Sequence, residues 1–282
     1  MTSYDLVDHN GEKYIRSGNS WIVAGSYLKA PEVVCRELER RYARPFTVMP
    51  KKQPVRKAAP RRQPDRDYHG LTAEDFSRRV EGTSWRRRET LAGLLAGHLS
   101  DFTGNHFISY PIYPWNEVHL ANGHCYELGR RAKGAKFQVR LSEREATYGF
   151  QVEKPDVPLN DQWDWRRFTA VIGDDDELQE LVDNAARHHD LKWLVAQSVG
   201  GRLIKEIEVL PGDPLIWDGD EIDWQTFTFR LLAVPSSYRC SVRLCGQVGK
   251  TDALQDGAAV MDRMLSTFRE LMPLYEACVR KR

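Results

Sequence analysis

Apolar residues recur along the chain with two different periods, and the switches between them outline the elements. Near the start, two runs of strand-forming residues flank Asn10-Gly11 in YDLVDHNGEKYIRSGNSWIVAG. That pair adopts positive φ readily and predicts a tight hairpin. Pro31 then opens PEVVCRELERRY, where Val33, Val34, Leu38 and Tyr42 fall near a helical stripe. Residues 1–48 therefore read as a small ββα N-terminal domain, short enough to need something to dock on.

Residues 49–69 carry four prolines, at 50, 54, 60 and 64, and almost no large apolar side chain. Proline fixes φ and lacks the amide donor, so this stretch reads as an extended linker. Beyond it, residues 70–282 read as one larger domain. Thr72-Ala-Glu-Asp75 resembles a helix start, and a second helix is expected from Thr83 or Ser84. Leu91, Leu94, Leu95, Leu99 and Phe102 form its apolar stripe, Gly104 ends it, and Trp85 to Arg88 occupy its first turn.

A strand-rich section follows in HFISYPIYPW, NEVHL, AKFQVRL and TYGFQVEK, with Asn122-Gly123 and SERE as turns. WRRFTAVI and DELQELVDNAARHH read as helices. WLVAQ, RLIKEIEVL, FTFRLLAV and YRCSVRLC read as strands. The closing segment ALQDGAAVMDRMLSTFRELMPLYEACV reads as one long amphipathic helix kinked at Pro273. Strands cluster between helical ends, which predicts an α+β domain with a mainly antiparallel sheet flanked by helices.

Charge changes this picture more than composition does. With 41% apolar and 29% charged residues the chain is that of a globular protein. No stretch approaches the roughly 18 to 20 apolar residues of a membrane span, the N-terminal residues lack the pattern of a signal peptide, and the five scattered cysteines make a poor disulfide framework. A cytoplasmic location without membrane contact is the expectation. The net charge of +1 conceals a segregation: residues 51–88 hold twelve lysines and arginines against five acids, leaving 29 basic and 35 acidic residues elsewhere. One basic region on a mildly acidic body points to an anionic partner.

The candidate chemistry follows from that region. Lys51, Lys52, Arg56, Lys57, Arg61 and Arg62 in the linker are expected to contact phosphates. Arg86, Arg87 and Arg88 at a helix N-terminus oppose the macrodipole, a conflict that a bound phosphate relieves. Arg130, Arg131 and Lys133, beside Lys136, form a second basic spot. Trp85 has two roles to choose between, stacking on an unpaired base or fastening its helix to the core. The expected function is a nucleic-acid-binding protein, non-catalytic, serving as a subunit of a genome-maintenance or defence assembly, with no metal or cofactor.

Other readings belong to different classes. Asp174 to Asp176 with Asp190-Leu-Lys192, or His119 and His124 with Cys125, are the residues a metal-dependent phosphodiesterase or nuclease would use. An adaptor would dock a protein through the N-terminal piece or the C-terminal helix. Gly246-Gln-Val-Gly249-Lys250-Thr251 lacks two of the four residues a phosphate loop needs between its glycines and reads as a strand end before a helix. Cys240 falls on the same strand face as Val242 and Leu244 and reads as a core residue, not a zinc ligand. Asp218, Asp220, Glu221 and Asp223 read as a solvated loop, and His188-His189 as a helix end.

Overall fold

A computed structural model of the chain describes residues 6–17, 20–23, 30–42, 68–77, 83–87, 89–112, 114–123, 134–154 and 163–279. It divides into two compact units, residues 1–61 and 62–282. The basic proline-rich segment, with Lys51, Lys52, Arg56, Lys57, Arg61 and Arg62, lies outside the described residues, as do Arg88, Arg130, Arg131 and Lys133.

Among the described residues the N-terminal unit holds three strands, not two: β1 (Leu6–His9), β2 (Glu12–Ser17) and β3 (Ser20–Val23), followed by helix α1 (Glu32–Tyr42). The expected hairpin is present, with His9 paired to Glu12 across Asn10 (φ 54°) and Gly11 (φ 82°). The run read as a second strand divides into β2 and β3, which pair with each other and make an antiparallel meander. Tyr14, Trp21, Ala30 and Leu38 form a small core.

The larger unit is built on nine antiparallel strands in the order β11-β10-β9-β8-β12-β7-β6-β5-β4. In chain order these are β4 (Phe107–Ile112), β5 (Glu117–Asn122), β6 (Lys136–Leu141), β7 (Glu145–Lys154), β8 (Lys192–Val199), β9 (Arg202–Leu210), β10 (Leu215–Trp217), β11 (Asp220–Ile222) and β12 (Arg239–Gly249). The helices among its described residues are α2 (Leu91–Thr103), α3 (Trp163–Asp174), α4 (Asp176–His189), α5 (Trp224–Leu232), α6 (Lys250–Asp256), α7 (Ala259–Glu270) and α8 (Met272–Cys278). The α+β architecture is thus the one the hydrophobic periods predict. Among the described residues no helix is long and apolar enough to cross a membrane.

Alternation along the strands sends Phe137, Val139, Tyr148, Phe150, Val152, Val242 and Leu244 to one face, where they are buried with residues of the helices. The rings of Phe137 and Phe268 stack at 4.8 Å, Phe137 and Tyr275 at 5.3 Å, and Phe150 meets Phe168 at 6.0 Å. The opposite face carries Glu117, His119, Lys136, Gln138, Arg140, Gln151, Glu153 and Arg243. Gly149 lies in this second row, where an added Cβ would come within 2.1 Å of the Leu244 carbonyl oxygen. The glycine marks a close backbone approach of β12 to β7.

Two elements differ from expectation. FTFRLLAV lies in helix α5 and the turn after it: Trp224, Phe227, Thr228 and Leu231 are buried at helical spacing, and Asp223 caps the helix by accepting from the Thr226 amide at 2.6 Å. The long C-terminal helix is three shorter ones, interrupted at Gly257 (φ 54°) and at Leu271 ahead of Pro273. Leu274, Tyr275 and Cys278 are buried within the unit's own core, so this apolar stripe is not a free docking face.

Candidate functional site

One buried carboxylate ties Thr72 to Ser84 and Trp85. Asp75 Oδ2 accepts from the Thr72 amide and hydroxyl, each at 2.9 Å, and Oδ1 accepts from the amides of Ser84 at 3.0 Å and Trp85 at 3.1 Å. At the expected first helix the described residues form a 3₁₀ turn, Ala73–Phe76. The Arg87 amide donates to the Ser84 carbonyl at 3.0 Å, closing a turn, and helix α2 starts at Leu91 with Thr90 as its N-cap. Trp85, Arg86 and Arg87 therefore precede the helix, and the clash with the macrodipole expected of them does not arise.

Trp85 is 2% exposed, and its indole N–H donates to Asn116 Oδ1 at 2.7 Å. Of the two roles weighed for it, packing in the core is the one observed, and no ring face is left for a base. Arg86 is 8% exposed, with Nη1 donating to the Trp115 carbonyl at 3.4 Å. It lies against the tip of the β4–β5 hairpin, largely buried. Arg87 alone of this trio is exposed.

The hairpin tip presents the aromatic residue that sequence reasoning passed over. Trp115 is 56% exposed, and the guanidinium carbon of Arg140, itself exposed, lies 5.8 Å from the centre of its ring. The backbone around Trp115 is held from within, because its neighbour Asn116 donates to the carbonyls of Asp75 at 2.6 Å and Ser77 at 3.0 Å. An available signal was the Pro111, Pro114 and Asn116 around it, which places Trp115 in a turn where a large aromatic has no core to enter.

Behind Arg140 the polar sheet face is closed by its own ion pairs. Glu117 sits opposite Arg140 and accepts from His119 Nε2 at 2.7 Å. Burial alone would raise the Glu117 pKa, but the hydrogen bond from His119 and the charges of Arg140 and Lys136 hold it below its ordinary value. Burial, reinforced by Lys136, holds His119 down and keeps it neutral against the opposing pull of Glu117. Lys136 bonds Glu153 Oε1 at 3.1 Å, which also accepts from Gln151 at 2.8 Å; Lys136 is thus a buried ion-pair partner, not part of a basic spot. Arg243 meets Glu206 at 2.7 Å, and Lys192 meets Glu208 at 3.0 Å.

Among the described residues, those of the nuclease reading have separate structural roles. Asp175 caps α4 by accepting from the Leu178 amide at 3.0 Å, Asp190 ends the same helix in a left-handed conformation, and Lys192 pairs with Glu208. His124 and Cys125 lie outside the described residues. Cys240 and Cys245 point to opposite faces of β12, and burial pushes their thiols up to about 12 and about 11. Gly249 is a strand end leading into α6, a helix of only seven residues. Asp220 pairs with Arg230 at 3.4 Å and Asp218 with Lys205 at 3.5 Å. His188 and His189 both face Glu270.

In comparisons with known proteins, no family model, curated protein or solved structure matches the chain.

Proposed function

We propose that the chain binds single-stranded nucleic acid without strong sequence preference and without chemistry of its own. The observation that carries this reading is the exposed Trp115 indole with Arg140 against its ring, on a hairpin whose backbone is anchored from beneath. A rigid aromatic face stacks on any unpaired base, and a neighbouring guanidinium adds a cation–π and a phosphate interaction. Arg87 and the basic surplus of residues 51–88 supply the sequence-independent phosphate interactions that dominate such affinities. Membership of a genome-maintenance or defence assembly accords with that chemistry.

The test is binding of the full chain to labelled single- and double-stranded oligonucleotides across a salt series. Trp115→Ala is expected to weaken single-strand binding by about 1–3 kcal/mol, the worth of one stacked base, with little change in salt slope. Neutralising the basic residues of 51–66 is expected to flatten that slope by about 0.7 for each phosphate they neutralise in the parent complex. Absence of binding at low salt, or binding indifferent to both changes, overturns the proposal.

A second reading, attachment to a protein partner, has one observation in its favour. Leu203 and Ile204 on β9, and Phe229 and Leu232 on α5, are exposed large apolar side chains. Self-association or co-purification of a protein without nucleic acid would favour it.

A further inference from the structure

The geometry points to a divalent transition-metal site formed by His188, His189 and Glu270. His188 Nδ1 stands 3.0 Å from Glu270 Oε1 and 3.2 Å from Oε2, while His189 Nε2 stands 3.1 Å from the same Oε1. Their ligand atoms all lie within 4.8 Å of one another. Around a four-coordinate zinc ion with bonds of about 2.0–2.1 Å, neighbouring ligand atoms stand about 3.3 Å apart. Small side-chain rotations would bring the three groups onto an ion.

Two independent features favour an ion over a simple histidine–carboxylate pairing. The side chain of His189 is 9% exposed, yet its buried Nε2 makes no hydrogen bond: it is near Glu270 but not aligned with it. A buried ring nitrogen aimed at a carboxylate without bonding it lacks the partner that such an atom ordinarily has. The second feature is the backbone. His188 and His189 end α4, and Glu270 ends α7, so the negative poles of two helices meet at the three side chains. A carboxylate at a helix C-terminus is locally unfavourable, and a cation among these groups offsets that cost. The arginines adjacent in sequence point elsewhere, Arg269 lying over Phe102 and Arg187 bonding Asn184.

Two imidazoles and one carboxylate suit zinc or another late first-row ion better than magnesium or calcium, which prefer all-oxygen shells. The more exposed His188 edge leaves a position for water, and the bound ion would clamp the ends of α4 and α7 together. This site is separate from the hairpin of Trp115 and does not depend on nucleic-acid binding.

The experiment is calorimetric titration of the full chain with Zn²⁺ after chelator treatment, paired with thermal unfolding with and without the ion. One ion per chain with a raised melting temperature is the expected result. His188→Asn and Glu270→Gln are each expected to weaken that ion at least tenfold while leaving unfolding in chelator close to that of the parent. Because His188 is largely exposed, its substitution keeps the test valid if Glu270→Gln fails to fold. No binding by the parent chain, or binding undiminished in the His188 variant, overturns the site.

Discussion

The indole of Trp85 is tied to the side-chain oxygen of Asn116 at 2.7 Å, and this bond joins the turn before α2 to the tip of the β4–β5 hairpin. Asn116 in turn donates to the carbonyls of Asp75 and Ser77. Asn116→Ala would strand the buried indole N–H and remove the bond to the Asp75 carbonyl, at roughly 1–3 kcal/mol for each buried group left unsatisfied. A clear fall in the denaturation midpoint is expected. Trp115→Ala, one residue away, should change stability by less than about 0.5 kcal/mol because the ring is exposed. Equal losses from the two would show that the Trp115 ring is part of the core.

Gly149 admits no side chain. Its absent Cβ would overlap backbone atoms of Leu244 and Cys245, which cannot rotate away as a flexible side chain could. Gly149→Ala is therefore expected to destabilise by at least about 2–3 kcal/mol, measured by urea unfolding. A neutral outcome would mean that β7 and β12 separate more easily than their pairing implies.

Asp183 is buried on α4 and accepts from the Gly212 amide at 3.2 Å. Burial raises its pKa above the ordinary carboxylate value, and the Gly212 bond only partly offsets this. A raised folded-state pKa means that the native chain binds more protons than the unfolded one between the two values, so this residue lowers stability as pH rises through that window. Asp183→Asn keeps the acceptor and removes the charge. The variant is expected to be at least as stable as the parent at neutral pH, and its advantage should fade on acidification towards the unfolded-state pKa. An advantage that grows towards low pH would contradict the burial argument.

Cys240, Cys245 and Cys278 are buried in the native fold, and burial raises all three thiol pKa values. Thiolate is the reactive form, so alkylation of these three at neutral pH should require unfolding. Mass mapping of labelled peptides from native and denatured chain checks this. Rapid native labelling of Cys240 would exclude the packed central sheet.

Period and turn chemistry made much of the architecture legible. The alternation in KFQVRL and TYGFQVEK was enough for β6 and β7, Asn10-Gly11 for the first hairpin, and the stripe through Leu91 to Leu99 for α2. These signals are local, because the pattern that makes a strand or helix bury one face is written in consecutive residues. FTFRLLAV shows the limit: a short apolar run fits either period, and Asp223 as an N-cap together with the packing of Phe227 against Trp193 decided it.

The site was less legible for the same reason. The sequence by itself determined a basic, proline-rich segment, an α+β body and tryptophans beside arginines. Tertiary structure alone decided that Trp115 and not Trp85 is available: Asp75, distant in sequence from Asn116, draws Trp85 inward, while the hairpin turn leaves Trp115 outside. It also decided the end of the chain, because Gly70 approaches the backbone of Gly257, where the expected continuous helix breaks. It likewise brought His188, 82 positions from Glu270 in sequence, against that carboxylate together with His189. Burial and proximity between such distant positions depend on how the elements pack, and no local period records that.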